Sequence, residues 1–316
     1  MKDLELVYAI YHYGSFSKAA EKLFISQSTL SMAIQRLENE FGLPLFDRRQ
    51  HPVALTEAGS LCLQYYLQMK PLEKDLMHQI AEIRNLQSGS ISIGGTNFLL
   101  SCILPDTITA FSERYPGIRL NIIEAPSAAF NTLLLDGKID LCLKCDFSDS
   151  NIYPLSHAFY DVLFLAIPKS CVKKLALPDN YLTGTDVVSG DYDEKEHYFK
   201  VSDFEKLTFL ELMPGNNLYL RSEEIFKNCG FRPKQTIQFE QFLTTFHLAA
   251  SGLGCTLTSA RIIRKNIDSK LVYYCLPSSL MTRDFHFAVR KNAYISESVR
   301  AFCEIFLETE KLNLNR

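Results

Sequence analysis

The side chains best suited to reading another molecule lie between Ser26 and His51. Ser26, Gln27, Ser28, Thr29, Ser31, Met32, Gln35 and Arg36 occupy one short segment, and Arg48, Arg49 and His51 follow it closely. Hydroxyls and primary amides are compact groups that donate and accept hydrogen bonds at once. An amide such as Gln27 offers a donor and an acceptor together, the pairing that suits the adenine edge in a DNA major groove. The cations supply a second chemistry, because arginine grips phosphate oxygens or enters a minor groove. These types in this order predict a helix that approaches base edges and a basic loop that holds the backbone.

The surrounding residues have to position that ridge. Leu4, Val7 and Ile10 recur at helical spacing, so a helix is expected over Asp3 to Tyr13, with Ser17 capping a second helix through Leu23 and Ser26 capping a third. At about 100° per residue, Leu30, Ile34, Leu37 and Phe41 share one side of the third helix, while Ser28, Ser31, Met32, Gln35 and Asn39 share the other. One side is core and the other is presented. The helix N-terminus adds partial positive charge toward phosphate. Gly42 stops the helix, and Leu45 to Val53 is expected to form a two-stranded wing with Arg48, Arg49 and His51 at its tip.

Net charge alone does not reveal this face. Residues 1–60 carry six cations (Lys2, Lys18, Lys22, Arg36, Arg48, Arg49) and seven acids (Asp3, Glu5, Glu21, Glu38, Glu40, Asp47, Glu57), one net negative charge. What matters is the potential on one side of the unit. A near-neutral headpiece gathers few phosphate contacts, so specific affinity is expected to need two copies acting together.

The ordered set Gly14, Ser15, Phe16, Ser17, Ala19, Ala20, Leu23, Ser26, Gln27, Ser28, Leu30, Ser31, Ile34, Leu37, Glu38, Gly42, Leu45, Phe46, Arg48, Leu55, Thr56, Ala58 and Gly59 resembles the LysR-type transcriptional regulators. Two positions depart from that pattern. Met32 and His51 stand where the family commonly has arginine, which weakens phosphate attraction. The resemblance implies an α/β chain with a helix-rich winged helix-turn-helix head (residues 1–58), a long linker and dimerisation helix with hinge (59–88), and a two-lobed effector domain like periplasmic solute-binding proteins (89–316). It further implies a homodimer or homotetramer on a double-stranded operator, a small-molecule effector in the interlobe cleft, and contact with RNA polymerase.

The linker is visible in the residues themselves. Leu61, Tyr65, Met69, Leu72, Leu76, Ile80 and Ile83 recur in steps of three and four, one continuous apolar seam. Pro71 lacks an N–H, which costs roughly 3 kcal/mol inside a straight helix, so a kink or restart is expected there. Gln87, Ser88, Gly89 and Ser90 read as the hinge. Beyond it strands and helices alternate, as in mainly parallel sheets covered on both faces. A single helix near Asn97 to Arg114 and a helix near Ala128 to Asp136 follow the first two strands. Lobe I is expected at 89–161 and 266–316, taking in the strands at Leu271 to Cys275 and Phe285 to Arg290, with lobe II at 162–265.

Ligands of such lobes sit beyond the carboxyl ends of strands. By position the cleft candidates are Thr96, Asn97, Phe98, Ser127, Met213, Pro214, Gly215, Asn216, Phe242, Leu243 and Thr244. A second reading stays open for several: Thr96, Asn97 and Ser127 as helix caps, Phe98 and Phe242 as core. Residues 179–203, rich in acids around His197, read as a solvated surface loop, with a lid over the cleft as the alternative.

Other classes fare worse. At 316 residues, 47% apolar and 22% charged, there is ample core for several packing units. No run approaches the ~18 apolar residues that cross a bilayer, and the N-terminus lacks a basic-then-apolar signal, so a cytoplasmic protein is expected. Nine cysteines without framework spacing suit a reducing compartment. Cys142 and Cys145, three apart in an extended segment, point to opposite faces and are unsuited to joint metal binding. There is no phosphate-binding glycine loop, HExxH pair or Gly-x-Ser-x-Gly elbow, so no catalysis, cofactor or metal is expected. Two alternatives remain: a thiol-based redox regulator using Cys142 or Cys255, and a solute-binding module or enzyme with a residual DNA-binding head.

Overall fold

A computed structural model describes residues 2–49, 52–83, 89–145, 147, 150–228, 230 and 232–314. The chain forms two compact units, Met1–Ile80 with Leu135–Gly137, and Ala81–Leu134 with Lys138–Arg316.

In the first unit, α1 (Lys2–Tyr13), α2 (Phe16–Lys22) and α3 (Gln27–Phe41) enclose Val7, Ile10, Ala19, Ala20, Leu30, Ile34 and Leu37. The N-cap of α2 is Ser15 and not Ser17, because Ser15 is the residue that keeps extended backbone before the first turn. Ser26 caps α3 as its spacing predicts, its hydroxyl accepting from Thr29 N at 3.0 Å. Gly42 ends α3 in the left-handed region at φ 68°, where a side chain would be strained. Phe41, expected on the core side, is 46% exposed, since the last turn runs past the small core. Strands β1 (Phe46–Asp47) and β2 (Ala54–Leu55) pair antiparallel as the wing.

Helix α4 (Glu57–Ile83) passes Pro71 without a break. A proline removes one hydrogen bond of a long ladder, and here the flanking turns carry the helix through. Leu61, Tyr65, Leu72, Leu76, Met77 and Ile80 remain exposed along it.

In the second unit, β3 (Gly89–Gly95) lies between parallel neighbours β4 (Ile118–Glu124) and β5 (Leu141–Lys144). Gly89 and Ser90 therefore belong to a strand and not to a hinge, while Gln87 and Ser88 lie outside the described residues. The expected single helix after β3 is two pieces: a wide turn at Leu99–Ile103, closed by Leu104 N to Leu99 O, and α5 (Pro105–Arg114), whose proline begins a new helix. Likewise a tight turn at Ser127–Ala129 precedes α6 (Phe130–Leu135).

The long strand β6 (Ile152–Pro168) serves both lobes. Its first part pairs with β11 (Thr282–Arg290), which also pairs with β5. Its second part pairs with β9 (Thr256–Ser259) and β10 (Leu271–Tyr274). The parallel pair β7 (Thr208–Leu212) and β8 (Gln235–Phe239) joins this side through a Phe209–Cys255 bridge. The strand at Leu271–Tyr274 thus belongs with the second lobe, and the return to the first falls between Tyr274 and Thr282. Alternation of elements could not show this, because β10 is placed by antiparallel pairing with the far end of β6. Helices α7 (Lys169–Lys174), α9 (Asn217–Asn228), α10 (Phe242–Ala250), α11 (Ala260–Lys265) and α12 (Glu297–Leu314) complete the layers.

Residues 179–203 do not form a solvated loop. They hold α8 (Gly184–Ser189) with a Thr183–Asp186 capping box, buried Leu182, Val187 and Phe199, and bridges from Leu182 and Tyr198 to the strand region at Tyr273 and Cys275. The segment covers the edge of β10, which would otherwise offer unpaired backbone groups.

Candidate nucleic-acid interface and interlobe cavity

The exposed face of α3 carries Gln27, Ser28, Thr29, Met32, Gln35, Arg36 and Asn39, with Ser31 half-buried beside them. Its first turn is a connected hydroxyl network: Ser26 Oγ lies 2.8 Å from Ser28 Oγ and 2.7 Å from Thr29 Oγ1. Ser17, freed from capping, donates to Gln27 Oε1 at 3.0 Å. That bond fixes the amide plane and leaves both N–H donors and one oxygen lone pair for an outside partner.

The wing cations are held by acids. Arg48 Nη2 donates to Glu38 Oε2 at 3.2 Å while its guanidinium sits 5.0 Å over the Phe16 ring. Glu38 also accepts from Leu45 N at 2.8 Å, so one carboxylate anchors both the wing backbone and its arginine. Arg49 donates from Nε to Asp47 Oδ1 at 3.2 Å with its side chain 92% exposed. His51 lies outside the described residues. Exposed pairs of this kind contribute little net stability and exchange readily for another anion.

In the second unit a cavity of about 230 Å³ opens between the lobes. Of the residues expected there, it is lined by Thr96, Asn97, Phe98, Ser127, Gly215, Asn216 and Phe242. Met213, Pro214, Leu243 and Thr244 do not line it. Met213, Pro214 and Thr244 face solvent and Leu243 packs on the core, so that of the first α10 turn only Phe242 lines the cavity. The capping reading holds for Thr96, whose Oγ1 accepts from Leu99 N at 3.4 Å, while Asn97 donates to Glu124 Oε1 at 3.4 Å. No residue of 179–203 lines the cavity, so the lid alternative is not supported.

Sequence reasoning missed the charged lining: Lys144 at the end of β5, Glu240 before α10, and Arg283 on β11. Arg283 is nearly buried and pairs with fully buried Asp161, Nε donating at 2.9 Å and Nη2 to the same oxygen. Ser259 Oγ donates to the other Asp161 oxygen. The guanidinium stands 5.1 Å from the Phe98 ring, 5.6 Å from Phe242 and 5.1 Å from Phe285, and Phe98 meets Phe242 edge-on at 5.4 Å. An aromatic cage around a paired arginine thus forms the cavity floor.

The cysteines are placed for packing. Cys142 and Cys255 are fully buried, and burial pushes the Cys142 thiol up to about 12 and that of Cys255 higher still. Cys145 is half-buried at the cavity and donates to Asn217 Oδ1 at 3.4 Å. Among the described residues no group of three or more His, Cys, Asp or Glu could hold a metal ion, and no helix is long and apolar enough to cross a membrane.

Residues 1–60 match the bacterial regulatory helix-turn-helix proteins of the lysR family, and residues 84–176 and 187–311 match the LysR substrate binding domain. The HTH-type transcriptional regulator YcgK of Bacillus subtilis (strain 168) is 25% identical over 312 residues, 98% of this chain and 95% of its own. A probable RuBisCO transcriptional regulator of Porphyra purpurea is 24% identical over 314 residues, covering 97% and 93%. Among solved structures, full-length CbnR in complex with its target DNA superposes with a TM-score of 0.60 at 18% identity, covering 98% of each chain. The chain belongs to the lysR family: it is a LysR-type DNA-binding transcriptional regulator with an effector-binding domain.

Proposed function

We propose that two copies of this chain bind an inverted-repeat operator through Ser26, Gln27, Ser28, Thr29, Ser31, Met32, Gln35 and Arg36, with Arg48, Arg49 and His51 on the backbone, and that a small effector in the interlobe cavity resets the assembly. The outward α3 ridge, with Gln27 oriented by Ser17, carries this reading. The exposed stripe from Leu61 to Ile80 supports pairing through α4, since an unpartnered apolar seam finds its partner in a second helix. Neutralisation of the wing arginines by Glu38 and Asp47 supports the need for two headpieces. Full-length CbnR, which shares this fold, is seen in complex with its target DNA.

Switching requires only that the effector favour one lobe or dimer arrangement, typically by ~1–3 kcal/mol. Action in the cytoplasm, contact with RNA polymerase and the absence of catalysis complete the reading. The eight described cysteines are all free, as a reducing compartment allows. A redox regulator built on Cys142 or Cys255 fits less well, because a buried thiol with a raised pKa supplies little thiolate for oxidation. Footprinting tests the proposal: Gln27→Ala and Arg48→Ala should erase an operator-length footprint, and Leu72→Glu should weaken specific binding by enforcing monomers. Tight sequence-specific binding by that monomer would refute the paired reading.

A further inference from the structure

Among the described residues, one cation and one anion lining the interlobe cavity have no ion-pair partner. Lys144, on the first lobe, donates from Nζ to the neutral Asn131 Oδ1 at 2.5 Å, and among the described residues it forms no ion pair. Glu240, on the second lobe, forms none either and is exposed at the cavity rim. The third charge, Arg283, is already matched by Asp161 and held between aromatic rings. The rest of the lining is largely apolar, with Phe98, Phe130, Leu143, Leu212, Phe242 and Phe285. At about 230 Å³ the space falls below the ~300–1,000 Å³ of pockets for drug-sized ligands.

We infer that the effector is a small zwitterion with an apolar side chain, an α-amino acid of the leucine or phenylalanine class, whose carboxylate meets Lys144 and whose ammonium meets Glu240. A purely anionic ligand would satisfy Lys144 and be repelled by Glu240, and a purely cationic one would reverse the fault. A neutral ligand would leave both charges without a complement. Only a ligand bearing both charges meets each lobe with its complement, and by bridging them it would draw the lobes together, the differential contact that a switch requires. This inference rests on the cleft being the effector site.

Calorimetry on the full-length protein tests it. The probes are valine, leucine, isoleucine, methionine, phenylalanine and tyrosine, with three analogues of phenylalanine: 3-phenylpropanoate, 2-phenylethylamine and the neutral 3-phenylpropanamide. At least one amino acid should bind, and each phenylalanine analogue should bind at least tenfold more weakly than phenylalanine. Lys144→Gln should weaken the amino acid and 3-phenylpropanoate while sparing 2-phenylethylamine, and Glu240→Gln should do the converse. Equal affinity for an analogue lacking either charge, unchanged amino-acid affinity in both variants, or no binding by any of the amino acids overturns the inference. Ala128→Trp, which places a bulky ring at the cavity lining, separates this from the underlying reading. Probe binding lost in that variant but indifferent to charge refutes the zwitterion alone, whereas probe binding that survives it refutes the cleft.

Discussion

Arg48 in the wing and Arg283 in the effector-binding unit each face one carboxylate and each lie against phenylalanine, yet they differ in exposure and in bonding. Arg48 is 52% exposed and meets Glu38 through a single nitrogen at 3.2 Å. Arg283 is 5% exposed, meets Asp161 through two nitrogens, and is walled by three phenylalanines. Water and salt screen the first pair, so its net contribution is small and a phosphate can replace the carboxylate at little cost. The second pair has no solvent to return to. It fixes the relation of Phe98 and Phe242 across the cavity floor, and it is unavailable to a ligand. The same two functional groups therefore make an exchangeable contact at one site and a permanent strut at the other, and burial decides which.

The largest expected effect follows from removing one side of the strut. Arg283→Ala leaves Asp161 charged and buried, and should destabilise the effector-binding unit by about 3–5 kcal/mol in urea titration. Replacing the pair together, Arg283→Met with Asp161→Leu, should recover most of that loss. A single substitution no more costly than the double one would show that burial is not what makes this pair obligatory.

Between the extremes lies Arg261, whose Nη2 sits 2.7 Å from Glu310 Oε2 with side chains 14% and 8% exposed. Arg261→Met removes the guanidinium, which also lies 5.1 Å over the Phe159 ring, and should cost about 1–3 kcal/mol. If its cost matched that of a wing substitution, the ordering by exposure would break.

Arg48→Ala should change stability by less than ~1 kcal/mol, because Arg48 is half-exposed and Glu38, though 16% exposed, keeps its bond from Leu45 N. Its effect should appear in DNA binding instead. Measured as affinity against salt concentration, the slope should fall by about one for each headpiece that loses the arginine. An unchanged slope would mean that Glu38 keeps Arg48 in the complex, and the contrast with Arg283 would narrow.

How far the sequence could be read follows the range of the forces involved. Helix α3, its Ser26 cap, its Gly42 stop and its outward ridge depend on residues within a few positions of each other, and all were legible. The helix does not restart at Pro71, because the rest of a long helix outweighs one missing hydrogen bond. The lobe boundary misled because β10 is placed by pairing with a strand about a hundred residues earlier. Lys144 and Glu240 escaped notice for the same reason, although Lys144 ends β5, and strand carboxyl ends are where ligands of such lobes gather. Gly59 is the converse case. It counted toward the resemblance without a reason, and the structure supplies one: a Cβ there would stand 2.0 Å from the Leu45 carbonyl oxygen, where α4 closes on the chain that enters the wing.

The smallest expected effect extends the exposed end of the scale to a carboxylate with no arginine at all. Asp186 closes the capping box of α8, accepting from Thr183 N at 2.8 Å and from Thr183 Oγ1 at 2.6 Å, and these bonds hold its carboxyl below the ordinary value. A depressed folded-state pKa adds stability that is fully present above the unfolded value of roughly 4 and is lost as pH falls through the folded one. Asp186→Asn should therefore lower stability slightly at neutral pH, and the difference from the parent should vanish as acid protonates Asp186 in both states. Thermal unfolding of the two proteins across that range measures it. A difference that persisted below the folded-state pKa would assign the loss to altered packing of α8 against the chain, and would place even this exposed carboxylate on the buried side of the comparison.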